Sequence, residues 1–393
     1  MLGGRCRPQS TAVERLIGNG ADIATDERRT NMQRAMKQTA GHGMGGHRPE
    51  SGSALILVLW VLIVLSLIVS AFAFDMHIEA RITSFYRKKL KAEYLARAGV
   101  ERAKMLLLKS AEVKKPDEAA EEEEPDSEWY QPALQIKNSG QITQTLTEDF
   151  DGGEVSIVIR AEQANINVNT LSEEDWEDML HSAGVPESMW PELVDCFFDW
   201  TDDNDVHRLN GAETHDWYST LDPPYKAKDG PLDTIDELKL IKGFTPAVLY
   251  GGIPEDAADD AEPMRGILEL LTTFGDGKLD CNAASAAQLM ALPLIDELTV
   301  EEILLERRGE DELDGTEDDE PFESVDDLMA RVPSLDAELK KYFCTHSQIF
   351  RIAAVGRVGT EGSGFVERGI LAIMHLKGKG ELDVLFWREQ LRM

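Results

Sequence analysis

SALILVLWVLIVLSLIVSAFAF, Ser53 to Phe74, is the stretch that decides the fold. No charged residue interrupts the chain between Glu50 and Asp75. At ~1.5 Å rise per residue, a helix of this length covers the ~30 Å hydrocarbon core of a bilayer. A charge-free apolar run reads as a transmembrane helix, because in lipid only a helix satisfies its own backbone groups. The pattern continues past Asp75 through IEARITSFYRKKLKAEYLARAGVERAKMLLLK, which holds no proline and one glycine, Gly99. One long helix is therefore expected to leave the membrane and run on, its outer half amphipathic.

Ahead of that helix, residues 1–52 are rich in Gly, Arg, His and polar side chains and show no apolar periodicity. They cannot build a core and read as a leader, cytoplasmic and disordered or removed. A secretory signal has an apolar stretch of about 7–15 residues with its small-residue junction after it. Here a basic flank and Gly52 precede a longer, intact apolar run. This resembles the leader of type IV prepilins and pseudopilins, which a prepilin peptidase cuts on the cytoplasmic side after the glycine. The resemblance implies cleavage between Gly52 and Ser53; Met32, Met36 or Met44 could serve as the start. Basic residues do not settle the orientation. Arg48 lies close on one side of the span, but Arg81, Arg87, Lys88, Lys89 and Lys91 follow on the other.

A length of 393 residues allows two or three structural units after the helix. The formal charge of −33 argues against nonspecific nucleic-acid binding. Much of it sits in acidic runs at 121–128, 256–262 and 309–320, which read as solvated linkers. Cys6, Cys196, Cys281 and Cys344 form no CxxC pair, so zinc and thiol redox chemistry lack support. The last three could hold one disulfide and a thiol, or three free thiols.

Taken in order, the long helix covers 53–112, and Pro116, Pro125 and a glutamate run break it. A strand pair is expected at 141–147 and 154–161, turning at Asp151-Gly152-Gly153, within a first sheet segment of 113–163. Residues 164–343 turn helical. NVNTLSEEDWEDML at 167–180 and DCNAASAAQLMALP at 280–293 resemble each other. Each has an Asn, two residues, then Ser172 or Ser285 as the N-cap of a helix. Further helices follow at 187–200 and 299–308, giving a helix-hairpin-helix outline used twice. Its hairpins, AGVPES and LPLIDEL, lack the Gly-x-Gly that offers amides to DNA phosphate, which favours packing or protein contact. After Phe343, strands return at 347–358, 364–376 and 381–387 within a segment of 344–393. The order is that of an α+β protein with an all-α domain inserted into its sheet.

The densest chemical signal is CFFDWTDDNDVHRLNGAETHDWYSTLDPPYKAKDGPLDTIDEL, 196–238. Asp199, Asp202, Asp203 and Asp205 crowd together and Glu213 follows. Hard oxygen ligands at this density suit Ca²⁺, which takes six to eight oxygens at about 2.3–2.6 Å. The spacing is not that of an EF-hand. A plain acidic capping loop is the blander reading. Catalysis by paired carboxylates is the poorest, since no nucleophile motif accompanies the acids. His207 and His215 are too few for zinc. The run at 309–322 is a weaker Ca²⁺ candidate.

These residues resemble the general secretion pathway protein K family, the large minor pseudopilins of type II secretion systems. The matching pieces are Gly52 before SALILVLWVLIVL, AEYLARAGVERA at 92–103, and NINVNT. The FDWTDDND…NGAE…PPYKAKDGPLDTIDELKLIKG block, KLDCNAAS and FRIAAVGRV complete them. The resemblance implies a pilin-like N-terminal helix and antiparallel sheet, a large inserted α-helical domain, and calcium held in that domain. It implies a non-enzymatic subunit, single-pass in the bacterial inner membrane with its bulk in the periplasm. Expected partners are other minor pseudopilins, the major pseudopilin, prepilin peptidase and the inner-membrane secretion platform, with no nucleic acid. Its members form a tip complex thought to start pseudopilus assembly. Major pilins carry Glu at the fifth mature position, where this chain has Leu57, which suits a subunit with nothing above it. The rival reading is a membrane-anchored DNA-binding protein of competence type built on the two hairpins. A third is an anchored hydrolase using the 199–213 acids.

Overall fold

A computed structural model describes residues 52–113, 129–146, 153–253, 262–309, 314, 316, 318–360, 364–377 and 380–389. The expected leader, Cys6, the glutamate run at 121–128 and most of the run at 256–262 lie outside them. Helix α1, Gly52–Glu112, runs through two compact units, Met1–Ala71 and Phe72–Met393. In the first unit the described residues are the apolar helix alone. Leu55, Trp60, Leu65 and Val69 all stand exposed on it, as lipid-facing side chains would. It belongs to the one helix among the described residues that is long and apolar enough to cross a membrane.

The second unit is built on a five-stranded antiparallel sheet. Its strands are β1 (Gln141–Leu146), β2 (Gly153–Ala161), β3 (Ile349–Thr360), β4 (Gly364–Lys377) and β5 (Glu381–Glu389), in that spatial order. Alternation explains the faces: Ile157 and Ile159 on β2 and Ile352 and Ala354 on β3 point to one side and are fully buried. The outer half of α1 covers that side. Ala92, Ala96, Val100, Ala103 and Leu107 recur at helical spacing and are completely buried. Helix and sheet come very close. A Cβ on Gly356 would overlap the Ala92 carbonyl oxygen, and one on Gly99 would lie 2.8 Å from a Val155 methyl. Helix α2, Tyr130–Ser139, has no counterpart in the expectations. It ends on Gly140 in the left-handed region (φ 64°), whose amide caps the Ile136 carbonyl.

Residues 162–348 enter from β2 and return to β3. Those two strands are neighbours, and Ala161 and Phe350 face each other across the ladder. Between them the chain gathers a second core around Trp176, Leu193, Tyr218, Leu238, Phe322 and Phe343. This insert is not purely helical. Among the described residues three two-residue ladders stitch it: Ile166–Asn167 with Leu271–Thr272, Gly251–Gly252 with Met264–Arg265, and Leu279–Asp280 with Phe343–Cys344. At the mouth of the insert, buried Glu162 accepts hydrogen bonds from Arg351 Nε (2.7 Å) and Nη2 (2.6 Å) and from the Thr272 hydroxyl (2.6 Å). Gln163 Oε1 accepts from the Gln348 amide at 2.7 Å.

Candidate metal centre

The insert is built twice from one pattern. Ser172 caps α3 (Glu173–Ser182) through a capping box with Asp175, and Ser285 caps the single turn α6 (Ala286–Leu289) through one with Gln288. Each is followed by a twelve-residue helix, α4 (Trp190–Thr201) and α7 (Glu297–Arg308). The Asn three residues before each cap closes the unit. Asn169 accepts from the Leu232 amide (2.8 Å) and donates to the Leu232 carbonyl (3.0 Å). Asn282 does the same with Phe322, at 2.8 and 3.0 Å. The partners themselves lie in a repeated phrase, PLDTIDEL at 231–238 and PFESVDDL at 321–328. The expectations missed that phrase, although it is plain in the sequence.

The acidic loops occupy equivalent places, after α4 and after α7. In the first unit Asp199, on the last turn of α4, is fully buried, and both its oxygens accept from the Arg208 amide at 3.1 Å. Gly211 is required beside it, because a Cβ there would overlap the Asp199 carboxylate. Glu213 is equally buried, and neither carboxylate oxygen has a hydrogen-bond partner. Burial pushes the Glu213 carboxyl up to about 7, and the like charges of Asp199, Asp202 and Asp229 add to the rise; the neighbouring Thr214 amide, short of hydrogen-bond geometry, opposes it. Burial also raises Asp199, against the amides of Arg208 and Ala212. Asp202 is half-buried, with Oδ1 taking the Asn204 amide at 3.1 Å.

Asp203 and Asp205 face solvent, as does Asp229, which the expectations did not include and whose charge adds to the rise at Glu213. The exposed His207 and His215 are not part of this group. Among the described residues, no three carboxylate, imidazole or thiol side chains form a ready-made metal shell. The donor chemistry still fits a hard cation. A buried carboxylate with both oxygens unpaired, among three further acids, lacks the positive charge that would complete it.

The second unit has that charge built in. Buried Arg307, on the last turn of α7, sends Nη1 to the carbonyls of Cys281 (2.8 Å) and Ala284 (2.7 Å) and Nη2 to Asp314 at 3.0 Å. Arg308 Nη2 meets the other Asp314 oxygen at 2.9 Å. Burial works to raise Asp314, but the two guanidinium groups hold it below the ordinary carboxylate value. Cys196, Cys281 and Cys344 are free thiols, the first two buried. Gly52 opens α1 with Ser53 next to it, and the flank before them lies outside the described residues.

Residues 156–251 match the family model described as type II secretion system (T2SS), protein K. That segment runs from β2 through the first repeat, with its acidic loop, to the end of α5 (Pro246–Tyr250). No curated protein matches the chain. Among solved structures, the chain is similar to one in the crystal structure of the GspK–GspI–GspJ complex from the type 2 secretion system of enterotoxigenic Escherichia coli. The identity is 15%, the TM-score 0.52, and the match covers 80% of this chain and all of that one. At that identity the likeness establishes a shared fold.

Proposed function

We propose that this chain is a minor pseudopilin of a type II secretion system, working at the tip of the pseudopilus with other minor pseudopilins. The observation that carries the reading is the family match over 156–251, in a chain whose apolar helix continues onto an antiparallel sheet. The apolar part of α1 stores the subunit in the inner membrane and then joins like helices, including those of the major pseudopilin, in the filament. Leu57 needs no buried partner in either setting, whereas a carboxylate would. The bulk of the chain stands in the periplasm. Prepilin peptidase cuts between Gly52 and Ser53, and the inner-membrane platform supplies the extraction. No reaction is assigned to the chain.

Calcium belongs to the same proposal. When bound, Ca²⁺ would supply the positive charge that the first acidic loop lacks, and Glu213, Asp199 and Asp202 would hold it. Asp203 and Asp205 contribute through the field of the loop. The loop is then tied to α4, and binding free energy becomes folding free energy.

The test is one preparation of membrane-extracted protein from a host carrying the secretion system. N-terminal sequencing should read from Ser53, and the other minor pseudopilins should co-purify. A mature N-terminus after the apolar run, near Ala73, or purification free of every pseudopilin, would overturn the assignment.

A further inference from the structure

The segment just beyond the apolar run carries a sorted charge pattern. Between Met76 and Lys91 stand five basic residues and one acid, Glu79, in a chain whose formal charge is −33. The bases are sorted by the helix. At about 100° per residue, Arg81, Arg87, Lys88 and Lys91 fall on one side with His77 and Ser84. Ile78, Ile82, Phe85, Tyr86 and Leu90 fall on the other, where Lys89 joins them. Those five are all at least 40% exposed, and Arg81 and Arg87 are exposed as well. The basic side lies opposite the apolar one.

We propose that this basic face binds the anionic phospholipid headgroups of the leaflet from which α1 emerges. Phe74 ends the apolar run. Arg81 lies seven residues on, roughly 10 Å along the axis, and Arg87 and Lys88 roughly 20 Å. Helical side chains lean toward the N-terminus, here toward the bilayer, and long ones bring the charge several ångströms back. The headgroup layer is about 5–7 Å deep on each side, and screening sets in over about 8–10 Å. Arg81 therefore reaches the phosphates, and Arg87 and Lys88 sit within a screening length of them. Lys91 adds to the field from further out. Basic clusters flanking a span are attracted to anionic leaflets in this way. The contact would set the depth of the stored subunit and would have to be broken on extraction.

The inference rests on the membrane-anchor reading, so the experiment separates the two. The full chain is expressed in membranes, washed with alkaline carbonate, then released from nanodiscs of equal phosphatidylglycerol and phosphatidylcholine for native mass spectrometry. The chain should resist the wash and retain phosphatidylglycerol over phosphatidylcholine at least five-fold. Arg81→Gln with Arg87→Gln and Lys88→Gln should bring that ratio to about one while still resisting the wash. Arg81→Lys with Arg87→Lys, which keeps the charge, should keep the preference. Release of the unaltered chain by carbonate would sink the anchor reading and the inference with it. Resistance with no headgroup preference, or a preference the triple variant retains, would sink the inference alone. So would a triple variant that keeps its lipid and loses its co-purifying pseudopilins, since the face would then belong to a protein.

Discussion

The two repeats of the insert solve one electrostatic problem in two ways. Both place an acidic loop after a twelve-residue helix, and both close the unit with an Asn gripping a single residue's amide and carbonyl. In the second, Arg307 and Arg308 answer the carboxylate of Asp314. In the first, the position matching Arg307 in the helix is Trp200, and Glu213 is left buried without a donor. Arg208, a cation of that loop, is turned to Glu173 at 2.7 Å and stacks on Phe198. A scaffold that carries its own counter-charge is complete as folded. Its twin leaves the buried Glu213 carboxylate unanswered, the gap that the proposed calcium would fill.

The largest effect should come from the built-in charge. Arg307→Ala leaves Asp314 to Arg308 alone and strands the buried Cys281 and Ala284 carbonyls, and should cost about 3 kcal/mol, read by chemical denaturation of the soluble part from about residue 76. The loss should be the same with calcium and with chelator; a calcium-dependent loss would mean that the two loops are not independent. Next comes the first loop. The same fragment should melt lower in chelator, by about 2.7 kcal/mol at a hundred-fold excess of calcium over its dissociation constant, with Mg²⁺ a poor substitute.

The acidity of Glu213 sharpens this second test. Its folded value of about 7 lies above the ordinary carboxylate value of 4.5, so the metal-free folded state holds its proton more tightly than the unfolded chain does. The metal-free protein should lose stability as pH rises from about 4.5 through 7. The gap between calcium and chelator should therefore widen toward pH 8 and narrow toward pH 5.5, by thermal melts across pH. Glu213→Gln should flatten both trends; a gap independent of pH would remove Glu213 from the site.

Asn169→Ala and Asn282→Ala should each cost about 2 kcal/mol by leaving a buried amide and carbonyl unpaired. If only one of them matters by denaturant melts, the repeats share a shape but not a mechanism. The smallest effect is at the caps. Ser172→Ala and Ser285→Ala should cost about 1 kcal/mol each, and the longer helix α3 should register it more clearly by circular dichroism.

What was legible in the sequence follows from the length of each pattern. Helix α1 and strands β1 to β5 repeat one periodicity over many residues, and the structure has them within a few residues of the expected ends. Helix α2 escaped because it is ten residues long with Pro132 in its first turn. The ladders of the insert are two residues each, too short to carry any period. At the candidate site the acids could be read but not their burial. Asp203 and Asp205 look the same in sequence as Asp199, yet only Asp199 sits on the inward side of α4. Asp229 could not be tied to the loop from spacing, because its amide reaches back to the Trp200 carbonyl at 3.1 Å.

The adjacency of β2 and β3 has a mechanical consequence. The two threads that join the insert to the sheet leave side by side, from residues paired across one ladder, Ala161 and Phe350. A pull on the insert therefore does not load that ladder in shear, with all its bonds resisting together. It opens the ladder like a zipper, one rung at a time, starting at the mouth. The Glu162–Arg351 pair and the Gln163 bridge to Gln348 stand at that first rung. They act as the latch: while they hold, traction on the insert is carried into the sheet as a whole, and the helix beneath it moves with the load.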